Sequence, residues 1–433
     1  MSGLRFSRSA LRRPGAGMLR HLVRVPRESD FTSRLRGPEV ASRVGLWLGV
    51  AFALAFVTGL YSHLAQEPMP WLPLPTRPAW LYRVTQGVHV ASGTAAVPLL
   101  VVKLWTVFPR LFARPPWRVR RQLVAHVLER GSIALLVAAA IFLLATGVAN
   151  VTQWYPWPFS FRATHYAVAW LAVGALLVHV AVKLPVAARA LRSDVDVPGD
   201  GAEDGDGAGD GDRAGDGDRP GGAAREAAGN DAGSHAGLTR RGLLRATGLA
   251  ATAAAVTTAG AVVPGLRSIA VFSPRSGNGP GGIPINTTAR QARVTASATS
   301  ADFTLTLAHG SREISLTRAD LEAMPQRSAT LPIACVEGWS ADGRWTGVPV
   351  RDLVALLSGT GGHGVVVSSL QEGGPFRETR LPPEFVDDPD TLLALRLGGE
   401  PLSIDHGYPC RIIAPNRPGV LQTKWVARLE VET

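Results

Sequence analysis

Cysteine is nearly missing from this chain: its 433 residues hold two, Cys335 and Cys410. Two thiols cannot supply a structural zinc site of the usual spacing, and one disulfide between them is the most they can form. Acidic side chains are also short, with 34 against 45 lysines and arginines, for a formal charge of +11. The excess is segregated. Arginines crowd residues 1–43 (Arg5, Arg8, Arg12, Arg13, Arg20, Arg24, Arg27, Arg34, Arg36 and Arg43) and the stretch 110–130, whereas 194–231 is acidic. Such segregation suits a membrane surface and argues against nucleic acid as a partner. No apolar core of a secretory leader interrupts 1–43, so this stretch reads as a basic cytoplasmic tail. No long internal repeat is evident.

Charge is nearly absent again from four long apolar runs, 44–61, 86–108, 131–151 and 163–184, where Lys103 and Lys183 are the only charged side chains. Each is about long enough to cross a bilayer as a helix. They lack the polar face that four buried helices of a soluble domain would need. The loops orient them. Residues 109–130 carry six arginines against one glutamate, while 62–85 and 150–164 carry only Arg77, Arg83 and Arg162. By the positive-inside rule both ends of this bundle, 44–192, face the cytoplasm. Trp71, Trp80, Trp154 and Trp157 suit an aromatic belt at the opposite interface.

The stretch 193–237 is rich in glycine, alanine and aspartate. Within 194–231 it has 12 acidic residues against 3 arginines. It cannot bury enough apolar surface to order itself, and reads as a flexible linker on the cytoplasmic side. Residues 238–272 follow, with Arg240-Arg241 ahead of a weakly apolar run, 246–263. This pattern resembles a twin-arginine export signal, and an ordinary positive-inside anchor would read the same. A fifth span that stays in the membrane and one that is cut near Ala259-Gly-Ala261 are both open.

Residues 273–433 have the pattern of a soluble α+β domain. Strands are expected at 303–307, 365–370, 392–397, 411–413 and 425–431, and helices at 315–324, with Thr317 and Asp320 spaced as a capping box, and at 348–357. In Leu331-Pro-Ile-Ala-Cys335-Val-Glu-Gly338-Trp339 a short apolar run reaches a cysteine and then turns at glycine. That places a thiol at the end of a strand. A thiolate is a soft metal ligand; a buried thiol or a disulfide with Cys410 are the plainer alternatives.

Cys335-Val-Glu-Gly-Trp-Ser, with the following Trp345-Thr-Gly, resembles the molybdenum-binding segment of the sulfite oxidase family, which includes the periplasmic methionine sulfoxide reductases. His406-Gly-Tyr-Pro-Cys-Arg411 and Lys424-Trp-Val426 resemble the family's pterin-phosphate strand. The resemblance covers about 283–433. It implies a sulfite-oxidase-like fold, a molybdopterin cofactor with Cys335 as metal ligand, and oxygen-atom transfer to or from a small-molecule or protein-bound sulfur substrate. Arg411 and Lys424 would meet the phosphate, His406 and Trp339 would adjoin the pterin, and Asn286 is the candidate contact from the segment ahead of the cysteine. Glu337 is a candidate proton carrier. A cofactor of this kind is inserted into folded protein in the cytoplasm, which favours the twin-arginine export machinery as a partner and places the domain outside the plasma membrane.

Histidine inside a membrane span is a functional candidate by default. His165 and His179 share one helical run. Fourteen residues apart, they sit nearly four turns and about 21 Å from each other on one face, as ligands of two stacked haems would. His89 lies level with His165 and is expected to complete an outer haem b site. His126 is the best partner for His179 at an inner one. His63 is a further candidate ligand, a hydrogen-bond donor to a haem, or a contact for quinol. The arrangement is similar to the b-type di-haem subunits of formate dehydrogenases and hydrogenases. In those a histidine precedes a tryptophan at the inner end of the first helix; here Leu46 precedes Trp47, so one or two haems are expected. The whole reads as a multi-pass membrane oxidoreductase, four spans plus an anchor span and an outer α+β domain, exchanging electrons with the quinone pool.

Overall fold

The structure is a computed structural model that describes residues 30–69, 71–112, 120–195, 238–263, 266, 268–272, 279–359 and 361–432. Most of the expected basic tail (1–29) and of the acidic linker (196–237) therefore lies outside the described residues.

Four apolar runs become four long helices: α1 (Pro38–Gln66), α2 (Leu81–Val107), α3 (Arg120–Val151) and α4 (Phe161–Arg192). All four are long and apolar enough to cross a membrane. Each outruns its apolar sequence, because charged turns such as Pro38–Arg43 and Lys183–Arg192 continue the helix past the apolar part. Pro38 opens α1 at the position where a missing N–H is harmless. Small and aliphatic side chains hold α1 to α2: Val40, Val44, Leu48 and Ala51 pack with Ala96, Leu99 and Leu100. Ala139, Leu143 and Ala172 join α3 to α4. Leu46, Trp47, Val57, Leu171 and Leu177 remain exposed on the outside, as a lipid-facing surface requires.

A fifth helix, α5 (Arg240–Ala259), is 20 residues long and less apolar, and it is not among the four candidate spans. It runs antiparallel along α2, where Thr94 and Thr258 hydroxyls bond at 2.8 Å. Its first turn lies at the arginine-rich end of the bundle. There Arg240 reaches the Glu39 carboxylate at 3.5 Å and Arg241 reaches Asp194 at 3.2 Å.

The C-terminal domain has two five-stranded sheets. One has the order β2-β1-β10-β5-β6, from β1 (Thr304–His309), β2 (Arg312–Thr317), β5 (Val365–Ser369), β6 (Glu378–Leu381) and β10 (Val426–Val431). Only the β1–β10 pair in it is parallel. The other joins β3 (Arg327–Ala334), β4 (Ser340–Pro349), β7 (Leu392–Leu397) and β8 (Glu400–Pro401), with β9 (Arg411–Ile413) added to β7. Helices α6 (Thr295–Ala298), α7 (Arg318–Ala323), α8 (Val350–Ser358) and α9 (Pro383–Asp387) complete the domain. The Thr317–Asp320 capping box forms at the start of α7. Residues 315–317, expected as helix, instead close β2. Cys335 follows β3 directly, as its apolar approach predicts.

This domain sits on the arginine-poor end of the bundle, where α1 and α3 end and α2 and α4 begin. Asn416, at φ 50, is the hub. Its Oδ1 accepts from the Tyr82 N–H at 2.7 Å, its Nδ2 donates to the Pro75 carbonyl at 2.6 Å, and its own N–H donates to Ala79 at 3.2 Å. Arg83 forks onto Asp342, with both contacts at 2.9 Å. Arg77 pairs with Asp388 and Asp390. Asn416→Ala should leave the buried Tyr82 amide without a partner and lower stability by about 1–3 kcal/mol. Thermal unfolding of the full chain should show this, with earlier proteolysis between the helical and C-terminal domains.

Candidate functional site

Two cavities meet at one loop. The first is a cleft in the C-terminal domain, about 330 Å³ including its opening. Cys335, Trp339, Asn286, His406, Arg411 and Lys424 all line it. These residues come from three stretches that are distant in sequence, and they are the six expected from sequence at a pterin site. Asp405, Gly419 and Ile283 line it too and carried no signal of their own.

Strand β9 buries Arg411 at the floor of this cleft. Its guanidinium donates to the carbonyls of His406 at 3.0 Å and Gln422 at 3.1 Å, and lies 5.1 Å from the Trp345 ring centroid. Its Nε is buried with no partner. Burial pushes its pKa down to about 9, which leaves it charged at neutral pH. Lys424 donates to Asn286 Oδ1 at 3.3 Å, to the Asp405 carbonyl at 3.1 Å and to the Thr287 carbonyl. Burial, and secondarily Arg411, push its ammonium down to about 7. Neither cation makes a salt bridge among the described residues, and the Asp405 carboxylate is turned to the Ala289 N–H at 2.7 Å. Buried cations without a paired anion are costly. The cleft therefore has the charge, and an orphaned donor, that a phosphate group would satisfy. His406 is held by two bonds, Nε2–H to the Ile283 carbonyl at 3.0 Å and Nδ1 to Ser403 at 2.9 Å, so it shapes the wall with its ring fixed.

Cys335 is 2% exposed. Burial, with Glu337 beside it, pushes its thiol well above the usual range. A metal at this sulfur would have to displace the proton. The disulfide alternative is not realised: both cysteines are free, and Cys410 packs in the other sheet's core, donating to the Val426 carbonyl at 3.4 Å.

The second cavity lies between α1, α2, α3 and α4. It is mostly apolar and about 1970 Å³ including its openings. His89 and His165 enter it from α2 and α4 with ring centroids 6.3 Å apart. His89 Nδ1–H donates to the Ala55 carbonyl at 2.8 Å, and His165 Nδ1 meets the Thr146 hydroxyl at 3.3 Å. Both Nε2 atoms are thereby left for a metal, with Nδ1 fixed as metal-bound imidazoles require. Gly59 makes this possible, since a Cβ there would lie 2.9 Å from the His89 ring. His63 lines the same cavity, stacked on Tyr166 at 3.7 Å. His126 and His179 do not line it; on the same two helices Glu129 is paired with Lys183. Fourteen residues after His89, Lys103 donates to the Ala41 carbonyl at 2.8 Å. Among the described residues of the helical domain no second histidine ring pair like that of His89 and His165 is found.

Among the described residues no three His, Cys, Asp or Glu side chains converge as metal ligands. A metal at Cys335, or between His89 and His165, must bring its other ligands with it. Pterin and porphyrin do so, and both sites fit such groups.

Residues 291–433 match the family described as the oxidoreductase molybdopterin binding domain. The C-terminal part of this chain is a molybdopterin-binding oxidoreductase domain. It is similar to spinach nitrate reductase [NADH], at 37% identity over 99 residues, 21% of this chain and 11% of the relative. Rat mitochondrial sulfite oxidase is 28% identical over 153 residues, 29% of this chain and 28% of the relative. An Azospira oryzae protein provisionally named protein-methionine-sulfoxide reductase subunit YedZ1 is 29% identical over 115 residues, 26% of this chain and 42% of the relative. The chain thus spans less than half the length of each of these three relatives.

The buried Arg411 and half-buried Lys424 of the molybdopterin domain generate a pH prediction. In cofactor-free protein Lys424 is charged below about pH 7 and mostly neutral above it, so an anion must bring a proton with it at higher pH. Sulfate affinity, followed by calorimetry, should be flat below pH 7 and fall by up to about tenfold per unit above it. Lys424→Met should weaken binding and remove the slope.

Proposed function

We propose that the chain is a membrane-bound molybdopterin-dependent oxidoreductase. In this reading a b-type haem held by His89 and His165 passes electrons between the quinone pool and a molybdenum site at Cys335, outside the plasma membrane. The observation that carries it is that one loop serves both cavities. Cys335 lines the cleft, and its neighbour Val336 lines the helical cavity. Gln86, which also lines that cavity, donates to the Val336 carbonyl at 3.2 Å. Gln86 precedes His89 on α2 by three residues, one helical turn. The thiol and the haem pocket are therefore joined by one peptide, one hydrogen bond and one turn of helix.

Each residue has a chemical task. Arg411 and Lys424 would neutralise and orient the cofactor phosphate. Trp339 and His406 wall the cleft, and Cys335, deprotonated, would hold the metal. The bound molybdenum supplies two-electron oxygen-atom exchange, while the haem handles one electron at a time. His89 and His165 would bind haem through Nε2 while Ala55 and Thr146 keep the rings turned. His63, with a buried Nδ1 that has no partner, is available to a quinol or to a carboxylate of the haem. Because the His126–His179 pair lies outside the cavity, one haem is the favoured number. The arginine-rich end of the bundle, including Arg240 and Arg241, would face the cytoplasm. Those two arginines would direct export of the folded domain.

The reductive direction is favoured: a sulfoxide gains two electrons and two protons and leaves as a sulfide and water. The relative named for sulfoxide reduction supports it. A relative is also named sulfite oxidase, and this supports the reverse flow, with sulfite and water giving sulfate, two electrons and two protons. A haem electron carrier with an inactive outer domain would do neither.

Metal analysis and visible spectroscopy of purified protein test the assignment. Molybdenum and haem should be present near one each per chain. Cys335→Ala should lower molybdenum by more than about tenfold and leave the haem bands. His165→Ala should remove the haem bands and leave molybdenum. Haem without molybdenum, in cells given molybdate, would support the carrier instead. Anaerobic mixing gives the direction: methionine sulfoxide should oxidise the reduced haem, whereas reduction of the oxidised haem by sulfite would reverse the assignment.

A further inference from the structure

Three carboxamide side chains of the helical domain end on two consecutive residues of the molybdopterin domain. Gln86 Nε2, from α2, donates to the Val336 carbonyl at 3.2 Å. Asn150 Nδ2, from the end of α3, donates to the same carbonyl at 3.0 Å. Gln153 Nε2, from the following loop, donates to the Glu337 carboxylate at 2.7 Å. Gln86 and Asn150 also line the helical cavity but offer it no metal ligand, and Gln153 lines neither cavity.

Each donor is itself fixed. Gln86 Oε1 accepts from Ser62 at 3.2 Å, and Ser62 bonds the buried Tyr82 hydroxyl at 3.0 Å. Asn150 Oδ1 accepts from Tyr155 at 3.0 Å. Gln153 holds φ at 56°, a conformation that a non-glycine residue adopts at some cost. The receiving loop is equally tight. Cys335 N–H donates to the Trp339 carbonyl at 2.9 Å, and Gly338 N–H donates back to Cys335 at 3.2 Å. Gly338 has φ 85, and a Cβ there would come within 3.2 Å of Val90 on α2. The loop thus rests against the helix.

A carbonyl oxygen has two lone pairs, and the Val336 oxygen uses both on the helical domain. That fixes the orientation of the Val336–Glu337 peptide, one residue beyond Cys335. Adhesion alone does not call for such an arrangement, since Arg77, Arg83 and Asn416 already bond the two domains elsewhere. We propose that Gln86, Asn150 and Gln153 are positioning residues: a clamp through which the helical domain sets the conformation of the Cys335 loop and the presentation of its sulfur to the pterin cleft. The catalytic consequence rests on the function proposed above. The effect on the thiol does not, because it can be read without metal.

The test uses the full chain, made without molybdenum, and N-ethylmaleimide as the probe, with labelling of Cys335 followed by peptide mass spectrometry. Gln86→Glu and Asn150→Asp keep side-chain size but put a carboxylate oxygen where the donor was. Gln153→Ala removes the third contact at a position exposed enough to spare the fold. The Gln86→Glu/Asn150→Asp double variant should label Cys335 at least about tenfold faster than the parent, and Gln153→Ala by several-fold. Haem bands and melting temperature should keep the parent's values in Gln153→Ala, which is exposed and lines neither cavity. In molybdenum-loaded protein the midpoint potential of the metal should shift in Gln153→Ala while that of the haem stays. Labelling within about twofold of the parent in all variants overturns the clamp. Faster labelling confined to variants that also lose haem and melt early overturns it as well. If the chain never takes up molybdenum, the labelling result still decides the clamp, while the function above fails on its own.

Discussion

One carbonyl oxygen, that of Val336, receives hydrogen bonds from two helices of one domain while its residue adjoins the candidate metal-binding sulfur of the other. Much of the architecture can be understood as supporting that contact. Helix α2 must begin where α3 ends for Gln86 and Asn150 to converge. The C-terminal domain must sit squarely on the bundle, which Asn416 and the arginine pairs at Arg77 and Arg83 enforce. Gly338 must leave out a side chain so that the loop can lie on α2. A carbonyl with two donors is strong in dry surroundings and costly to leave unpaired, so the loop has little freedom to sit elsewhere.

The two cavities differ in what they lack. The cleft holds cationic groups whose burial is not offset by salt bridges: Arg411 with an unpaired Nε, and Lys424 held only by oxygens of neutral groups. The helical cavity holds two imidazoles, those of His89 and His165, whose Nδ1 atoms are engaged and whose Nε2 atoms are not. One suits an anion carried by a planar cofactor, the other a metal that arrives with its own equatorial ligands. The match between domain family and cleft stands independently of the membrane reading.

Much of this was legible in the sequence, for identifiable reasons. The four long helices follow from uninterrupted apolar runs, although their charged ends were invisible to hydropathy. Strand β7 and strand β9 have the expected bounds because Leu392–Leu397 and Arg411–Ile413 are short apolar segments between turn residues. Strands β2 and β4 were missed, and only the apolar end of β3 was expected: Arg312–Thr317 and Arg327–Ser328 mix charged and hydroxyl residues, and β4 contains an Asp-Gly pair that reads as a turn. Of the histidines, His89 and His165 could be paired by depth alone. His126 and His179 lie outside the cavity that His89 and His165 line, and which helix face lines a cavity is set by packing, which a single sequence does not carry. The carboxamide clamp had no signal at all. Gln86 and Asn150 sit at the ends of apolar runs, where polar residues are ordinary.

The central claim is that one chain carries electrons between two sites across its own loop. Stopped-flow mixing of the fully loaded, haem-reduced protein with an excess of methionine sulfoxide tests it, if the protein is diluted over a hundredfold range at constant substrate. The account predicts first-order haem oxidation with a rate constant that does not change with protein concentration. A rate constant that falls in proportion to dilution would mean that electrons pass between separate molecules, and would contradict it.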